Sequence, residues 1–374
     1  MNKEHILNES IVETQNVQFI FDDNPELEGL CEINISLFQK VIVFCDINLK
    51  RLWWPKIESI LKDKITLHLK YLNASEQTKN LESYVKLVGY LEKIKCTRDD
   101  LIVAVGGGTI LDAVSYLSST YMRGISLFMI PTTIIGQADA STAGKTCINT
   151  EYAKNVLGTL YLPKIVYNNV AILRTNSEYE NRQGFSEIFK YGLLGSKKLL
   201  KIMEEYIFCP NDKLLVDILK ETIKVRLSIR RKDPLASNLG HTFGHALEKI
   251  SQYTVNHGDA ISVGIVMALE FSLLEGIIET AYKDKIIVLM DKLGLNTKVQ
   301  SGICPETLSK IMLTDKKSSN SQIRLVLIKN IAEPYICDGS YFYPVETNIM
   351  LNFLKNFLND KRYICNNHWK NLKN

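Results

Sequence analysis

The chain has 374 residues, of which 46% are hydrophobic and 23% charged, a composition typical of a globular protein long enough for two domains. Its net charge of +4 is too small to indicate a nucleic-acid-binding protein. We find no run of about 18 apolar residues and no apolar signal core, so we predict neither a membrane span nor a signal peptide. The eight cysteines are dispersed without a CxxC pair, which favours reduced thiols in the cytoplasm over a disulfide framework.

The first half of the chain alternates short apolar runs with helical spacing. Residues 41–45, 101–105 and 125–130 are predicted to be buried strands, and residues 81–94 carry apolar side chains at helical intervals. This alternation predicts a parallel, doubly wound sheet with helices on both faces. Such sheets bind ligands at the carboxyl ends of their strands.

The second half changes to apolar spacings of three and four, which predict a mostly helical domain. We place the boundary near residue 175, giving domains of 1–175 and 176–374. One extended stretch, residues 323–328, is predicted to be a strand or hairpin. The predicted helices cover residues 184–206, 214–229, 242–251, 260–276 and 282–293.

Three of the six histidines, His241, His245 and His257, lie close together in the sequence. Imidazole is the commonest metal ligand, and residues four apart share one face of a helix. Glu187 lies on a strongly apolar helical segment, where a carboxylate needs a partner. Two histidines and one carboxylate are a suitable set for catalytic Zn²⁺. The alternative is that Glu187 pairs with a lysine and the histidines are ordinary core residues.

Glycines 106–108 stand between a predicted strand and a predicted helix. Such a turn lets backbone N–H groups approach a pyrophosphate, although a simple tight turn would use the same residues. Asp46 ends the first strand, where it could accept a hydrogen bond from a ribose hydroxyl. Several basic residues suit a phosphate or a carboxylate, and each taken singly suits a surface charge equally well. They are Arg123, Lys145, Lys154, Lys316 and Lys317.

Taken together, these motifs resemble the 3-dehydroquinate synthase family of sugar-phosphate cyclases. The resemblance extends from about residue 46 to residue 328, which is most of the chain. Its many ordered motifs make it highly specific. The matching segments are residues 76–79, 106–112, 121–124, 130–133, 137–139, 144–146, 154–155, 187–192, 238–246, 257–258 and 315–317.

The resemblance implies a fold and two cofactors. The fold is a Rossmann-like α/β NAD-binding domain followed by a mostly α-helical domain that binds metal and substrate, with the active site between them. The resemblance also implies a homodimer. It places Zn²⁺, or Co²⁺ in its stead, on Glu187, His241 and His257. It places NAD on Asp46, Glu76, Lys79, Gly107, Gly108, Asp112, Thr132, Thr133 and Lys154.

The resemblance further implies a reaction on a small sugar phosphate. Bound NAD⁺ removes a hydride, phosphate is eliminated, the hydride returns, and the ring closes by an intramolecular aldol step. The implied phosphate contacts are Lys145, Asn155, Asn238, His245 and Lys317, with Arg123 reaching the neighbouring subunit's site. The other residues implied to contact the substrate are Asp139, Lys190 and Lys224.

The sequence departs from the family pattern just before Asn238. Dehydroquinate synthases usually carry Gly-Leu-Arg there, and that arginine and an upstream lysine bind the substrate carboxylate. Here Pro234 falls at the arginine position. Either Arg230, Arg231 or Lys232 substitutes, or the substrate lacks a carboxylate, as sedoheptulose 7-phosphate and glucose 6-phosphate do. Leu111 replaces a glycine of the NAD loop, and Ala140 and Ala143 also differ from the pattern, which indicates a divergent member.

Three readings of the function follow. Asn238, His245 and residues 315–317 keep the dehydroquinate-forming pattern, so we favour a heptulosonate 7-phosphate over a substrate without a carboxylate. An alcohol dehydrogenase of the glycerol dehydrogenase type has the same architecture, but the phosphate-binding lysines argue against it. A non-enzymatic paralogue is the third reading, and the complete set of Glu187, His241 and His257 argues against it.

Overall fold

The computed structural model describes residues 16–151, 153–233, 236–313 and 322–365. Its strands in the first half are β1 (Gln18–Asp22), β2 (Lys40–Asp46), β3 (Thr66–Leu72), β4 (Leu101–Gly106), β5 (Ser126–Pro131), β6 (Lys145–Ile148), β7 (Leu157–Leu160) and β8 (Ile165–Asn169). Six of them form one parallel sheet in the order β1-β8-β5-β4-β2-β3. Strands β6 and β7 form a separate antiparallel hairpin.

Strand β2 shows why the sheet is central to the first half. Its residues alternate between two buried apolar clusters, with Val41 and Val43 in one and Ile42 and Phe44 in the other. Successive side chains of a strand point to opposite faces, so both faces of the sheet are covered. The helices that accompany it are α1 (Glu28–Cys31), α2 (Trp54–Lys62), α3 (Leu81–Lys93), α4 (Gly108–Thr120) and α5 (Ile134–Ala138).

The three predicted strands correspond to β2, β4 and β5, and the helix predicted over residues 81–94 corresponds to α3. Strands β1, β3 and β8 were not predicted. Strands β1 and β3 are the edge strands of the sheet. Most of their residues are half-buried, so their sequences are not continuously apolar. The chain leaves β2 towards β3 and then crosses back to β4, so the strand order reverses between β2 and β4. A crevice at such a reversal is where open α/β sheets bind ligands.

The second half is mostly helical, as predicted. Its helices are α6 (Glu178–Gly195), α7 (Lys197–Phe208), α8 (Asp212–Lys232), α9 (His241–Ile250), α10 (His257–Leu274), α11 (Thr280–Lys292), α12 (Pro305–Leu313) and α13 (Thr347–Asn359). Its short strands are β9 (Val299–Gln300), β10 (Ile323–Val326), β11 (Ile328–Asn330), β12 (Glu333–Pro334), β13 (Phe342–Val345) and β14 (Ile364–Cys365).

One predicted helix is wrong in its extent. Residues 184–206 were predicted as a single helix, whereas the structure has α6 and α7 with a break at Ser196. Ser196 has an extended backbone, and its hydroxyl accepts a hydrogen bond from the backbone N–H of Leu199 at 3.0 Å. A serine in this position caps the following helix, so it ends one helix and starts the next without disturbing the apolar spacing.

The two halves pack together through α5 and α6. The apolar core of the second half also contains Ile134, Ala138 and Val170 from the first. A Cβ on Gly184 would lie 2.3 Å from Cγ2 of Ile134, so the two helices approach closely. The proposed division after residue 175 falls at the end of the 3-10 helix Val170–Thr175. Domains of 1–175 and 176–374 remain our proposal.

Helix α10 bears on the prediction that no segment could span a membrane. Among the described residues it alone is long and apolar enough to cross a bilayer, and 78% of its 18 residues are buried within the protein. Burial on this scale is typical of the core helix of a globular domain. Asp259 and Glu270 interrupt the apolar residues of α10, so the sequence has no continuous run of 18 of them there.

Candidate active site

Three residues of the predicted metal site meet at one point between α6, α9 and α10. Oε1 of Glu187 lies 3.5 Å from Nε2 of His241 and 3.3 Å from Nε2 of His257. The ligand atoms all lie within 4.8 Å of one another. Glu187 is buried, and its Oε1 has no hydrogen-bond partner among the described residues. A divalent cation would satisfy this oxygen and both imidazole nitrogens, so the residues fit the predicted metal.

The orientation of each imidazole is fixed by an acceptor behind it. Nδ1 of His241 lies 3.1 Å from the carbonyl oxygen of Leu239, and Nδ1 of His257 lies 3.3 Å from Oε1 of Glu248. A proton held on Nδ1 leaves the Nε2 lone pair free to face a metal. Burial opposes charge on His257, but Glu187 and Glu248 outweigh it and raise its pKa to about 10. A proton on His257 therefore competes with metal binding.

Glycines bring the two ligand-bearing helices together. His241 and His257 are the first residues of α9 and α10. Gly240 precedes α9 with a φ of +75°, a left-handed conformation that favours glycine. A Cβ on Gly264 of α10 would lie 2.1 Å from the carbonyl oxygen of Gly240. Only glycine at position 264 permits this approach, which sets the spacing of the two imidazoles.

The second oxygen of Glu187 is bound by a buried lysine. Nζ of Lys190 donates to Oε2 of Glu187 at 2.5 Å, and both side chains are 2% exposed. Burial opposes the charge of Lys190, but Glu187 outweighs it and raises the lysine's pKa. Glu187 therefore pairs with a lysine through one oxygen and still presents the other to the two histidines. The two readings that the sequence left open for Glu187 are compatible.

Asp139 lies beside this group in a network that joins the two halves. Its Oδ1 accepts from the hydroxyl of Tyr191 at 2.8 Å and lies 3.1 Å from Nη2 of Arg226. Nε of Arg226 donates to the Tyr191 oxygen at 2.8 Å, and its Nη1 donates to the backbone carbonyl of Asp139. Burial raises the pKa of Tyr191 to about 12, so this hydroxyl stays protonated and orients the carboxylate.

Two more basic side chains lie at the same junction. Lys145 begins β6, and Arg230 on α8 donates from Nη1 to the carbonyl oxygen of Ala143. Burial and the nearby charges of Arg226 and Arg230 lower the pKa of Lys145. The arrangement suits an anionic ligand.

The predicted NAD residues gather at the carboxyl edge of the sheet. Asp46 ends β2, and its carboxylate accepts from the N–H of Asn48 at 3.0 Å. Gly107 caps α4, and a Cβ there would lie 3.0 Å from Cγ2 of Thr133. Thr133 in turn caps α5 by accepting from the N–H of Gly136 at 3.0 Å. Gly108 and Thr132 adjoin these residues, so the turns after β4 and β5 pack side by side next to the strand reversal.

The other predicted NAD residues form a polar cluster. Nζ of Lys79 and Oδ2 of Asp112 form an ion pair of 2.5 Å, in which the lysine side chain is 5% exposed. Oε2 of Glu76 accepts from the side-chain amide of Asn149 at 2.6 Å and lies 4.0 Å from Nζ of Lys154. The four predicted NAD residues of this cluster therefore form two pairs, Lys79 with Asp112 and Glu76 with Lys154.

Some of the predicted phosphate contacts lie next to the two histidines of the predicted metal site. The ring of His245 has its centroid 5.3 Å from that of His241 and 6.1 Å from that of His257. Asn238 accepts the backbone N–H of His241 at 3.0 Å, which places it directly before α9. Asn155 has a φ of +54°, and its side chain accepts from the thiol of Cys147 at 3.3 Å.

Comparison with known proteins agrees with this geometry. The family profile described as 3-dehydroquinate synthase N-terminal matches residues 70–183, and the profile described as 3-dehydroquinate synthase C-terminal matches residues 184–318. The 3-dehydroquinate synthase of Thermoanaerobacter pseudethanolicus is 30% identical over 329 residues, covering 85% of this chain and 92% of that protein. The chain belongs to the 3-dehydroquinate synthase family.

Solved structures of sugar-phosphate cyclases share the fold. A 2-deoxy-scyllo-inosose synthase complexed with carbaglucose-6-phosphate, NAD⁺ and Co²⁺ superimposes with a TM-score of 0.81 at 21% identity, covering 90% of this chain and 96% of that one. The 2-epi-5-epi-valiolone synthase of Streptomyces hygroscopicus subsp. jinggangensis, with NAD⁺ and Zn²⁺ bound, also gives 0.81, at 20% identity with coverages of 94% and 99%. The predicted family and fold class are confirmed, and an identity near 30% fits a divergent member of the 3-dehydroquinate synthase family.

Some residues carried over from the family pattern are not gathered at this site. Lys224 is exposed and lines a separate cavity with Gly195 and Ser228. Arg123 is exposed beyond the C-terminal end of α4, on the far side from the glycine turn. Contact with a second subunit is the role predicted for Arg123, and it stays a prediction. Lys317 and Pro234 lie outside the described residues.

Two members of the site were not found from the sequence. Arg226 begins a run rich in arginine and lysine, which is typical of a solvated helix face. Its position three residues after buried Ile223 and four after buried Thr222 puts it on the buried face of α8. A charged residue on the buried face of a helix needs a partner. This position in the apolar spacing is the signal by which Arg226 could have been identified from the sequence. Glu248 could have been found in the same way, one turn after His245.

Proposed function

We propose that this protein is a sugar-phosphate cyclase of the dehydroquinate synthase type, dependent on NAD and a divalent metal ion. The observation that carries the proposal is the convergence of Oε1 of Glu187 with Nε2 of His241 and of His257. This three-ligand set leaves coordination positions open for substrate hydroxyls. The adjoining strand edge with its glycine turn supports the dinucleotide, and the neighbouring cations support a phosphate.

When bound, a metal ion would supply Lewis-acid polarisation of a substrate hydroxyl, and NAD⁺ would supply reversible acceptance of a hydride. The protein's own residues have simpler tasks. Glu187 keeps one carboxylate oxygen on Lys190 and directs the other to the metal position. Lys145, Asn238 and His245 are the proposed contacts for the leaving phosphate. Positive charge held there stabilises the dianion as its bond to carbon breaks.

Asp139 is a further carboxylate of the site, close enough to the buried Lys190 to act on its pKa. Its oxygen is held by the hydroxyl of Tyr191 and the guanidinium of Arg226, which fix its direction. We propose that Asp139 orients a substrate hydroxyl by accepting a hydrogen bond from it. The remaining catalytic assignment, Lys224, stays part of the proposal without support from its exposed position.

We infer a heptulosonate 7-phosphate as the substrate, with sedoheptulose 7-phosphate or glucose 6-phosphate as the alternative. The proposal includes a homodimer in which Arg123 reaches the neighbouring phosphate site, and a cytoplasmic location.

A metal-dependent alcohol dehydrogenase is the second enzyme class. Lys145 and Arg230 favour the cyclase over it, because two cations near Asp139 and Arg226 suit a substrate anion, whereas a simple alcohol is uncharged.

The test is phosphate release from 3-deoxy-D-arabino-heptulosonate 7-phosphate, sedoheptulose 7-phosphate and glucose 6-phosphate, each with NAD⁺ and Zn²⁺. We expect turnover of the first without accumulation of NADH, because the hydride returns to the substrate. Turnover of another sugar phosphate alone would overturn the heptulosonate assignment. NADH accumulating with a simple alcohol would indicate the dehydrogenase, and failure to bind metal or release phosphate would indicate a non-enzymatic paralogue.

A further inference from the structure

Helix α8 presents two arginines to the junction between the halves. Arg226 and Arg230 are four residues apart and therefore lie on one face of the helix. The guanidinium of Arg226 is fully engaged, since its three nitrogens contact Tyr191 and both the side chain and the backbone of Asp139. Arg226 is a positioning residue, because its contacts are with Asp139 and Tyr191.

Arg230 is engaged far less. Its one hydrogen bond among the described residues goes to the carbonyl of Ala143, and a Cβ on Gly144 would lie 3.1 Å from its Nη1. The guanidinium therefore rests against the turn that leads into Lys145. A guanidinium has five N–H donors in a planar fork, so most of the donors of Arg230 remain for another acceptor.

The charges at the junction do not balance. In the described part of the chain, Lys190 pairs with Glu187 and Arg226 pairs with Asp139, whereas no carboxylate lies within ion-pair distance of Lys145 or Arg230. Burial and mutual repulsion lower the pKa of Lys145, and burial and Arg226 lower that of Arg230. Lys145 is exposed and Arg230 is half-buried, and two cations held near each other without an acid are stabilised by an anion from outside the chain.

We propose that Lys145 and Arg230 together form an oxyanion site that binds a charged group of the substrate, with Arg230 acting as a specificity residue. This inference rests on the proposed function, because it takes the anion to belong to a sugar phosphate. The group is the phosphate or, in a heptulosonate, the carboxylate. Arg230 is one helical turn before position 234, where the sequence has proline, and a fork on α8 binds either oxyanion in bidentate fashion.

The test compares Arg230→Gln with Arg231→Gln, a matched control because Arg231 is the adjacent arginine and is exposed. Binding is measured by calorimetry on the protein loaded with Zn²⁺ and NADH, which cannot accept a hydride, so that no probe is turned over. The probes are inorganic phosphate, 3-deoxy-D-arabino-heptulosonate 7-phosphate and sedoheptulose 7-phosphate. Loss of a charge-assisted hydrogen bond predicts at least about tenfold weaker binding in Arg230→Gln. The affinity of the control, Arg231→Gln, should not change.

The probes identify the bound group. Weaker binding of all three assigns the phosphate, whereas weaker binding of the heptulosonate alone assigns the carboxylate. Unchanged affinity of Arg230→Gln for all three probes would overturn the proposal. If Arg230→Gln does not fold, Arg230→Met, which keeps the apolar stem, is measured in its place with the same expectations.

A double variant checks that the two cations act on one group. Lys145→Gln and Arg230→Gln should be non-additive, since either change removes half of one site, whereas additive losses would count against a shared anion. Because these measurements record binding, they remain informative if no sugar phosphate is turned over. Absence of turnover with intact, Arg230-dependent phosphate binding would contradict the proposed function and leave the oxyanion site standing.

Discussion

The α-carbon of Gly264 faces the carbonyl oxygen of Gly240 so closely that a methyl group on Gly264 would lie 2.1 Å from that oxygen. We expect Gly264→Ala to force α9 and α10 apart, to separate His241 from His257, and to weaken metal binding. The backbone clash should also destabilise the protein by about 3 kcal/mol. Metal content and urea unfolding are the measurements.

The control for this change is Gly89→Ala in α3. A Cβ on Gly89 would meet nothing within 4 Å. In a helix interior this replacement should stabilise the protein by about 1 kcal/mol and leave metal binding unchanged. Equal metal contents in the two alanine variants would contradict the idea that the glycine contact sets the spacing of the ligands.

Removal of a proposed ligand should abolish tight metal binding while the fold survives. We expect His257→Ala to lose Zn²⁺ on dialysis, because only Glu187 and His241 of the set remain. Elemental analysis of the dialysed protein and far-UV circular dichroism measure the two effects. His68→Ala is the control, since His68 lies on β3 in the other half. A His257→Ala protein with full metal content would refute the ligand assignment.

Glu248→Gln tests the residue behind the ligand. Glu248 accepts from Nδ1 of His257, and loss of such an acceptor typically weakens metal binding by about 10–100-fold. Competition with a chromogenic chelator gives the affinity. Glu82→Gln, at an exposed position on α3, should have no effect. An affinity equal to that of the wild type would show that Glu248 does not orient the imidazole.

The pH dependence of phosphate binding should report on Lys145, which faces the cations Arg226, Arg230 and Lys190 and the carboxylate of Asp139. Burial and the cations lower the pKa of Lys145. Lys145 therefore loses its proton at a lower pH than an ordinary lysine does. Above roughly pH 8, where inorganic phosphate is already a dianion, the affinity for phosphate should fall as Lys145 loses its charge, at a lower pH than an ordinary lysine would give.

Arg230→Gln removes one of the charges that depress this pKa, so the fall in affinity should move to higher pH. The quantity compared is the midpoint of each profile, which is independent of the absolute affinity. Arg231→Gln should leave the midpoint in place. A midpoint in Arg230→Gln equal to or below that of the wild type would contradict the electrostatic coupling of the two side chains.

Leu111 departs from the glycine of the family pattern, and the structure gives it a packing role. Its side chain is 1% exposed in the cluster between α4 and the sheet. We expect Leu111→Ala to cost about 2–5 kcal/mol of unfolding free energy, because it leaves a cavity in that core. Urea denaturation measures this. A loss below about 0.5 kcal/mol would show that the leucine is not part of the packed core.

The grouping of His241 and His257 with Glu187 could be predicted from the sequence, because rare residues with one chemistry lie close together in it. The central strands β2, β4 and β5 could be predicted because burial on both faces makes their sequences continuously apolar. The role of α8 could not, because Lys224 and Arg226 are chemically similar and two residues apart. Only the rotation of the helix puts one in solvent and the other against Asp139. Helix phase is set by packing with neighbours distant in sequence, which local spacing records weakly.

The proposed metal ligands lie on α6, α9 and α10, whereas Arg226 and Arg230 lie on α8. On the proposed assignments, substitutions on the site face of α8 change which anion is recognised without altering the arrangement of Glu187, His241 and His257. A lineage could acquire or lose recognition of a substrate group one residue at a time while the redox and metal chemistry stays intact. The residues proposed to hold the metal and the residues proposed to choose the substrate are then open to separate selection.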